Sequence, residues 1–102
     1  VDTNVDRAWV DHVAYCASKA SLLAATRVAA RELAPRIRVN ALSPGTVALR
    51  PDELGDEARL LRRIPLDSIG ETIDIGSAAV FLLRSGYITG AHLRVDGGSG
   101  VM

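Results

Sequence analysis

Cysteine is nearly absent from this sequence: Cys16 stands alone among 102 residues. A single thiol excludes an internal disulfide and a multi-cysteine metal site, and a small buried side chain is its ordinary role. Aromatic residues are scarce too, limited to Trp9, Tyr15, Phe81 and Tyr87. Neither sign of charge is in excess, since 12 Lys and Arg balance 12 Asp and Glu, and no basic block occurs. Nucleic acid and anionic membrane are therefore not expected partners, because both are recognised by clustered positive charge. No apolar run reaches the roughly 18 residues of a membrane-spanning helix. No basic-then-apolar leader opens the chain, and a cytoplasmic setting is expected. Internal repeats and low-complexity tracts are also lacking.

What is present reads as helix, strand, loop with a short helix, helix, strand. The first helix is expected to begin near Asp11–Ala14, with Asp11 as its N-cap, and to run to about Ala34. Leu22, Leu23, Thr26, Ala29, Ala30 and Leu33 recur along it at helical spacing. Pro35 ends it, because proline disfavours helix in the residue before it. Its many alanines predict close approach of another helix. "RIRVNALSPG" alternates Ile37, Val39 and Ala41 with polar residues before a Pro-Gly turn, so it reads as a strand. "PDELGDEARLLRRIPL" reads as a charged short helix in a long loop. "TIDIGSAAVFLLRS" is expected to be a helix with Ile75, Ala78, Ala79, Leu82 and Leu83 on one side. "HLRVDGGSG" closes the chain as a strand ending in the turn Asp96-Gly97-Gly98.

Strands alternating with helices predict an α/β fold with a parallel sheet. Only two whole strands are visible, with a possible stub at Val1–Asp2. Parallel sheets cover both faces and use more strands than that. The expectation is the second half of a larger doubly wound domain.

The chemistry starts with Tyr15 and Lys19. Lys19 is the only lysine, and every other cation is an arginine. Residues four apart on a helix share a face. A free phenol has a pKa of about 10 and seldom works near neutrality, whereas a neighbouring ammonium lowers it. Such a pair can give or take a proton at working pH, and the lysine has donors to spare for a ligand's hydroxyls. The strand end at Pro44-Gly45 is where open α/β sheets bind ligands, and a glycine there lets backbone approach a flat ring closely.

The run "AYCASKASL", the strand "RIRVNALSPG" and the terminal "YITGAHLRVDGG" follow one another in order. Together they resemble the C-terminal half of the short-chain dehydrogenase/reductases, over essentially all 102 residues. The resemblance implies part of a Rossmann-like doubly wound parallel sheet over residues 1–102, with the N-terminal cofactor-binding half and its glycine-rich loop not included. It implies that Tyr15 is the catalytic acid/base, and that Lys19 binds the nicotinamide ribose and lowers the tyrosine pKa. Pro44, Gly45 and the backbone near Val47 would touch the nicotinamide. NADP is the implied cofactor, with NAD not excluded, and the implied assembly is a homotetramer paired through the alanine-rich helix.

Family members usually carry a serine thirteen residues before the tyrosine; here that position holds Asp2. An aspartate there is similar to the pteridine-reductase-like branch, as is the loop "TVALRPDELGDEARLLRRIPL". Leu49 stands near a slot often filled by threonine. A carboxyl group suits the ring nitrogens and amine of a pterin, so Asp2 is expected to position or protonate the substrate. The implied reaction is hydride transfer to a C=N or C=O bond of a small molecule. A different carbonyl substrate such as a 3-oxoacyl thioester, or a non-catalytic self-associating piece, remains the alternative. His12 is expected to be exposed, His92 structural, and Trp9 and Tyr87 packing or interface residues.

Overall fold

The computed structural model describes residues 1–6, 9–49, 51 and 54–101. Five regular elements follow in order: α1 (Val13–Glu32), β1 (Ala41–Pro44), α2 (Glu57–Leu61), α3 (Thr72–Arg84) and β2 (His92–Val95). Single 3-10 turns occupy Thr3–Asp6 and Ser99–Val101.

The α/β expectation is met. β1 and β2 pair in parallel, with Ala41 opposite His92 and Pro44 opposite Val95. The crossover between them carries α2 and α3, as a parallel connection requires. α3 packs on both strands. The Ala41 and Gly45 amides donate to Ala91 and Val95 of the β2 segment. The Leu42 carbonyl faces the opposite way and accepts the Val1 ammonium at 2.8 Å. Residues 1 and 2 thus lie beside β1, although they form no strand ladder.

Three expectations are corrected. Asp11 does not cap α1, because its backbone is left-handed (φ 63) and it lies one residue outside the cap position, held by His12. The expected strand over residues 36–40 is replaced by side-chain bonding. The Arg38 guanidinium donates to the carbonyls of Leu82, Leu83 and Ile88 at 2.7–3.2 Å. It thereby closes the end of α3, where the last carbonyls of any helix want donors. Asn40 donates to Ile88 and accepts from the Ala91 amide, both at 3.0 Å. Apart from the Val39 carbonyl, which accepts from the Gly90 amide at 2.7 Å, backbone pairing begins at Ala41, and Ile37 stays exposed. Leu83 is also exposed, because one helical step carries it away from buried Leu82.

The core of the described residues is narrow. Leu23, Thr26 and Ala30 form the buried stripe of α1, while Ala14, Ala17, Ala20, Ala24 and Ala25 are exposed. The helix neighbour predicted from those alanines is not found among the described residues. Cys16 is half-buried rather than buried.

The long loop after β1 is tied down at both ends. The Gly70 amide donates to Thr46, and the Leu66 amide to Gly97. Ile64 is buried against Gly97, whose φ is 62 and where an added Cβ would come within 2.5 Å of the Ile64 side chain. Asp96 fixes the final turn, accepting from the Gly98 and Gly100 amides at 2.9 Å each.

Candidate active site

The site is assembled at the start of α1. Tyr15 and Lys19 occupy successive turns of the helix, and the Lys19 ammonium lies over the phenol ring, 5.5 Å from its centroid. Asp2 comes from the segment beside β1. The buried Thr3 side chain and a bond from the Val5 amide to the Asp2 carbonyl anchor that segment locally. The Tyr15 hydroxyl donates to the Asp2 carboxylate. Asp2, Tyr15 and Lys19 are therefore brought together.

The electrostatics differ from the expectation for the pair alone. The Tyr15 phenol is held above its ordinary pKa of 10.0, chiefly because its proton is bonded to Asp2. Desolvation, the Asp2 charge and Cys16 push the same way. A phenol donating to a carboxylate loses that bond on ionising, and two like charges then face each other. The expected lowering by Lys19 is thus overturned, since the ammonium faces the ring while the carboxylate meets the hydroxyl itself.

A phenol whose folded-state pKa is raised stabilises the fold below its ordinary pKa, and that contribution is lost as pH rises through the raised value. Asp2→Asn is expected to move the Tyr15 titration downward, read from phenolate absorbance against a Tyr15→Phe blank. A titration that stays in place or moves upward would contradict the assigned cause.

Pro44, Gly45 and Val47 form a second group at the carboxyl end of β1. The bond from Val1 to Leu42 ties the Asp2 segment to that strand. The Gly45 amide is already used by Val95. A Cβ on Gly45 would stand 2.5 Å from the Asp96 Cα. Glycine is thus required by the neighbouring strand, and not only by any ring laid against the turn. Val47 borders a cavity of about 470 Å³ shared with Thr46, Asp74, Ser77 and Asp96, and neither Tyr15 nor Lys19 lines it. Leu49 is half-buried.

Other candidates resolve individually. His92 bonds through Nε2 to the fully buried Ser43 hydroxyl at 2.6 Å. Trp9, expected to be a packing or interface residue, packs beside the site: it stacks on exposed His12 and meets the Tyr15 ring edge-on. Tyr87 is fully exposed. The only sequence signal for the ring cluster was the spacing of Trp9, His12 and Tyr15 at three-residue steps. Among the described residues no group of three or more His, Cys, Asp or Glu is placed to hold a metal ion. None of the described helices is long and apolar enough to cross a membrane.

The donor chemistry fits one end of a dinucleotide. The Lys19 ammonium carries three N–H donors, a match for the paired hydroxyls of a ribose.

Comparison with known proteins gives concordant results. A family model described as enoyl-(acyl carrier protein) reductase matches residues 3–100. The chain is 47% identical over 85 residues to a 3-oxoacyl-(acyl-carrier-protein) reductase of Homo sapiens, covering 82% of this chain and 36% of that protein. It is 40% identical over 101 residues to an L-xylulose reductase of Cavia porcellus, covering 90% and 41%. The crystal structure of a small-chain dehydrogenase in complex with NADPH matches with a TM-score of 0.88 at 31% identity, over 99% of this chain and 49% of that one. The chain thus spans 36–41% of the length of these two curated relatives.

Proposed function

Because the chain belongs to the short-chain dehydrogenase/reductase family, we propose that it serves an NADPH-dependent reductase acting on a C=N bond of a pteridine-like heterocycle. The carrying observation is the Asp2 carboxylate bonded to the Tyr15 hydroxyl. A carboxylate there accepts hydrogen bonds and gives none. It suits a substrate that presents an N–H or amine donor beside the reducible bond, and it is poorly matched to a bare carbonyl oxygen.

NADPH, when bound, supplies hydride to the carbon of that bond. Lys19 holds the ribose hydroxyls. Backbone following Pro44-Gly45, up to Val47, would border the nicotinamide. Tyr15 delivers the proton to the substrate nitrogen, and Asp2 accepts the adjacent N–H and sets the ring's orientation. The phenol is protonated at neutral pH, as a proton donor must be, but the Asp2 bond that raises its pKa also makes it a weaker acid until the substrate N–H takes over that carboxylate. The exposed alanine face of α1 supports assembly through this helix, with a homotetramer as the proposed form.

A second reading is favoured by the 47% identical relative: reduction of a 3-oxoacyl thioester at its ketone. The two are separated by assaying NADPH oxidation by the whole protein with a dihydropteridine and with a 3-oxoacyl thioester. The first reading predicts turnover of the dihydropteridine and a loss of about 10²-fold in kcat/KM for Asp2→Ser. The second predicts thioester turnover that Asp2→Ser preserves or raises. Absence of NADPH-dependent turnover with both would overturn both.

A further inference from the structure

Trp9 is held with its indole beside the phenol before α1 begins. The indole lies flat on the His12 imidazole, with ring centroids 4.0 Å apart and planes 9° apart. His12 is itself fixed: its Nδ1 bonds to the Val10 carbonyl at 2.8 Å, and its amide donates to the Trp9 carbonyl at 3.2 Å. The left-handed backbone of Asp11 closes this turn, a conformation that aspartate tolerates better than most side chains. Trp9 also meets the Tyr15 ring, with centroids 5.8 Å apart and planes at 89°.

Even so, 46% of Trp9 remains exposed. An indole carries one of the largest apolar surfaces available to a side chain, and ordinary packing would hide it. Among the described residues one face is covered by imidazole and part of the side chain stays open, and the neighbouring Tyr15 ring carries the hydroxyl bonded to Asp2. The three features differ in what they recognise. An open π-surface recognises a flat ring, a carboxylate recognises an N–H donor, and a phenol protonates the atom between them. A flexible acyl chain has no π-face to offer.

We propose that Trp9 is a specificity-determining residue of this site, packing its open indole surface against a flat conjugated ring of the substrate. This rests on the reductase reading above and extends it by naming the residue that selects the shape of the ring. His12 holds the indole in place.

The test compares wild type, Trp9→Phe and Trp9→Leu in the whole protein, with NADPH and three substrates. These are a dihydropteridine, phenanthrenequinone as a flat dicarbonyl, and a 3-oxoacyl thioester. Leucine keeps apolar bulk and removes the π-face. Trp9→Leu is expected to raise KM for a flat substrate by about tenfold, with Trp9→Phe staying within about threefold of wild type. The kcat values are expected to change less than KM, and any thioester turnover to change less than turnover of either flat substrate. Far-ultraviolet circular dichroism and melting temperature confirm folding, and Trp9→Phe carries the comparison if Trp9→Leu unfolds. Equal losses on every substrate, unchanged KM, or a wild type that reduces neither flat compound would overturn the proposal. If phenanthrenequinone is reduced and the dihydropteridine is not, the pteridine reading fails while the KM ratio still decides the role of Trp9.

Discussion

Tyr15→Phe in the whole protein is expected to lower kcat by about 10²–10⁴-fold, the range that a positioned proton donor contributes. The substitution removes one oxygen and leaves the ring. The edge-on contact with Trp9 and the Lys19 ammonium over the ring both survive it, so the fold has little reason to change. What disappears is the proton shared with Asp2. KM is expected to move much less than kcat, because the lost interaction is with the atom gaining a proton in the transition state. Stopped-flow or steady-state NADPH oxidation measures both. Retention of more than about a third of wild-type kcat would remove Tyr15 from its assigned role. Circular dichroism separates that result from a folding defect.

Tyr15 and Lys19 were legible in the sequence because helical spacing alone puts residues four apart on one face. Asp2 was legible by counting back from Tyr15 to the slot where related chains place a serine. The helices were legible too, apart from their ends, since periodicity and Pro35 both act locally. The sign of the Tyr15 pKa was not. It depends on whether Asp2 or Lys19 reaches the hydroxyl, and that is decided by where the segment beside β1 sits, through contacts 13 and 41 residues apart in sequence. The start of β1 was lost for a similar reason. Arg38 and Asn40 read as the polar half of an alternating strand, yet their partners lie 44 to 51 residues onward, at the end of α3 and before β2. The ring cluster fell between the two cases: its spacing was visible, but only the left-handed turn at Asp11 brings Trp9 onto His12.

Gly45 and Gly76 make the largest stability contrast available, because the same change to alanine is expected to act with opposite signs. An added Cβ on Gly45 would lie 2.5 Å from the Asp96 Cα, 2.8 Å from its Cβ and 3.2 Å from its carbonyl carbon. Most of those atoms are backbone next to β2 and cannot swing aside, so the end of β1 must separate from its partner. Overpacking of this kind costs about 1–3 kcal/mol, and sometimes more. In a domain of 150–250 residues that corresponds to a drop of roughly 2–12 °C in melting temperature. The strand end would move with it. Pro44 precedes this glycine and Val47 lies two residues after it, so cofactor affinity is expected to weaken alongside stability. Gly76 sits inside α3, and no atom of the described residues lies within 4 Å of an added Cβ. Alanine there restricts the unfolded chain and suits a helix, which stabilises by about 0.5–1 kcal/mol. Differential scanning fluorimetry on the two variants of the whole protein reads the contrast directly. A Gly45→Ala protein that melts at or above the wild-type temperature would mean that β1 and β2 do not approach as closely as described. The role given to the Pro44-Gly45 turn would then need a different physical basis.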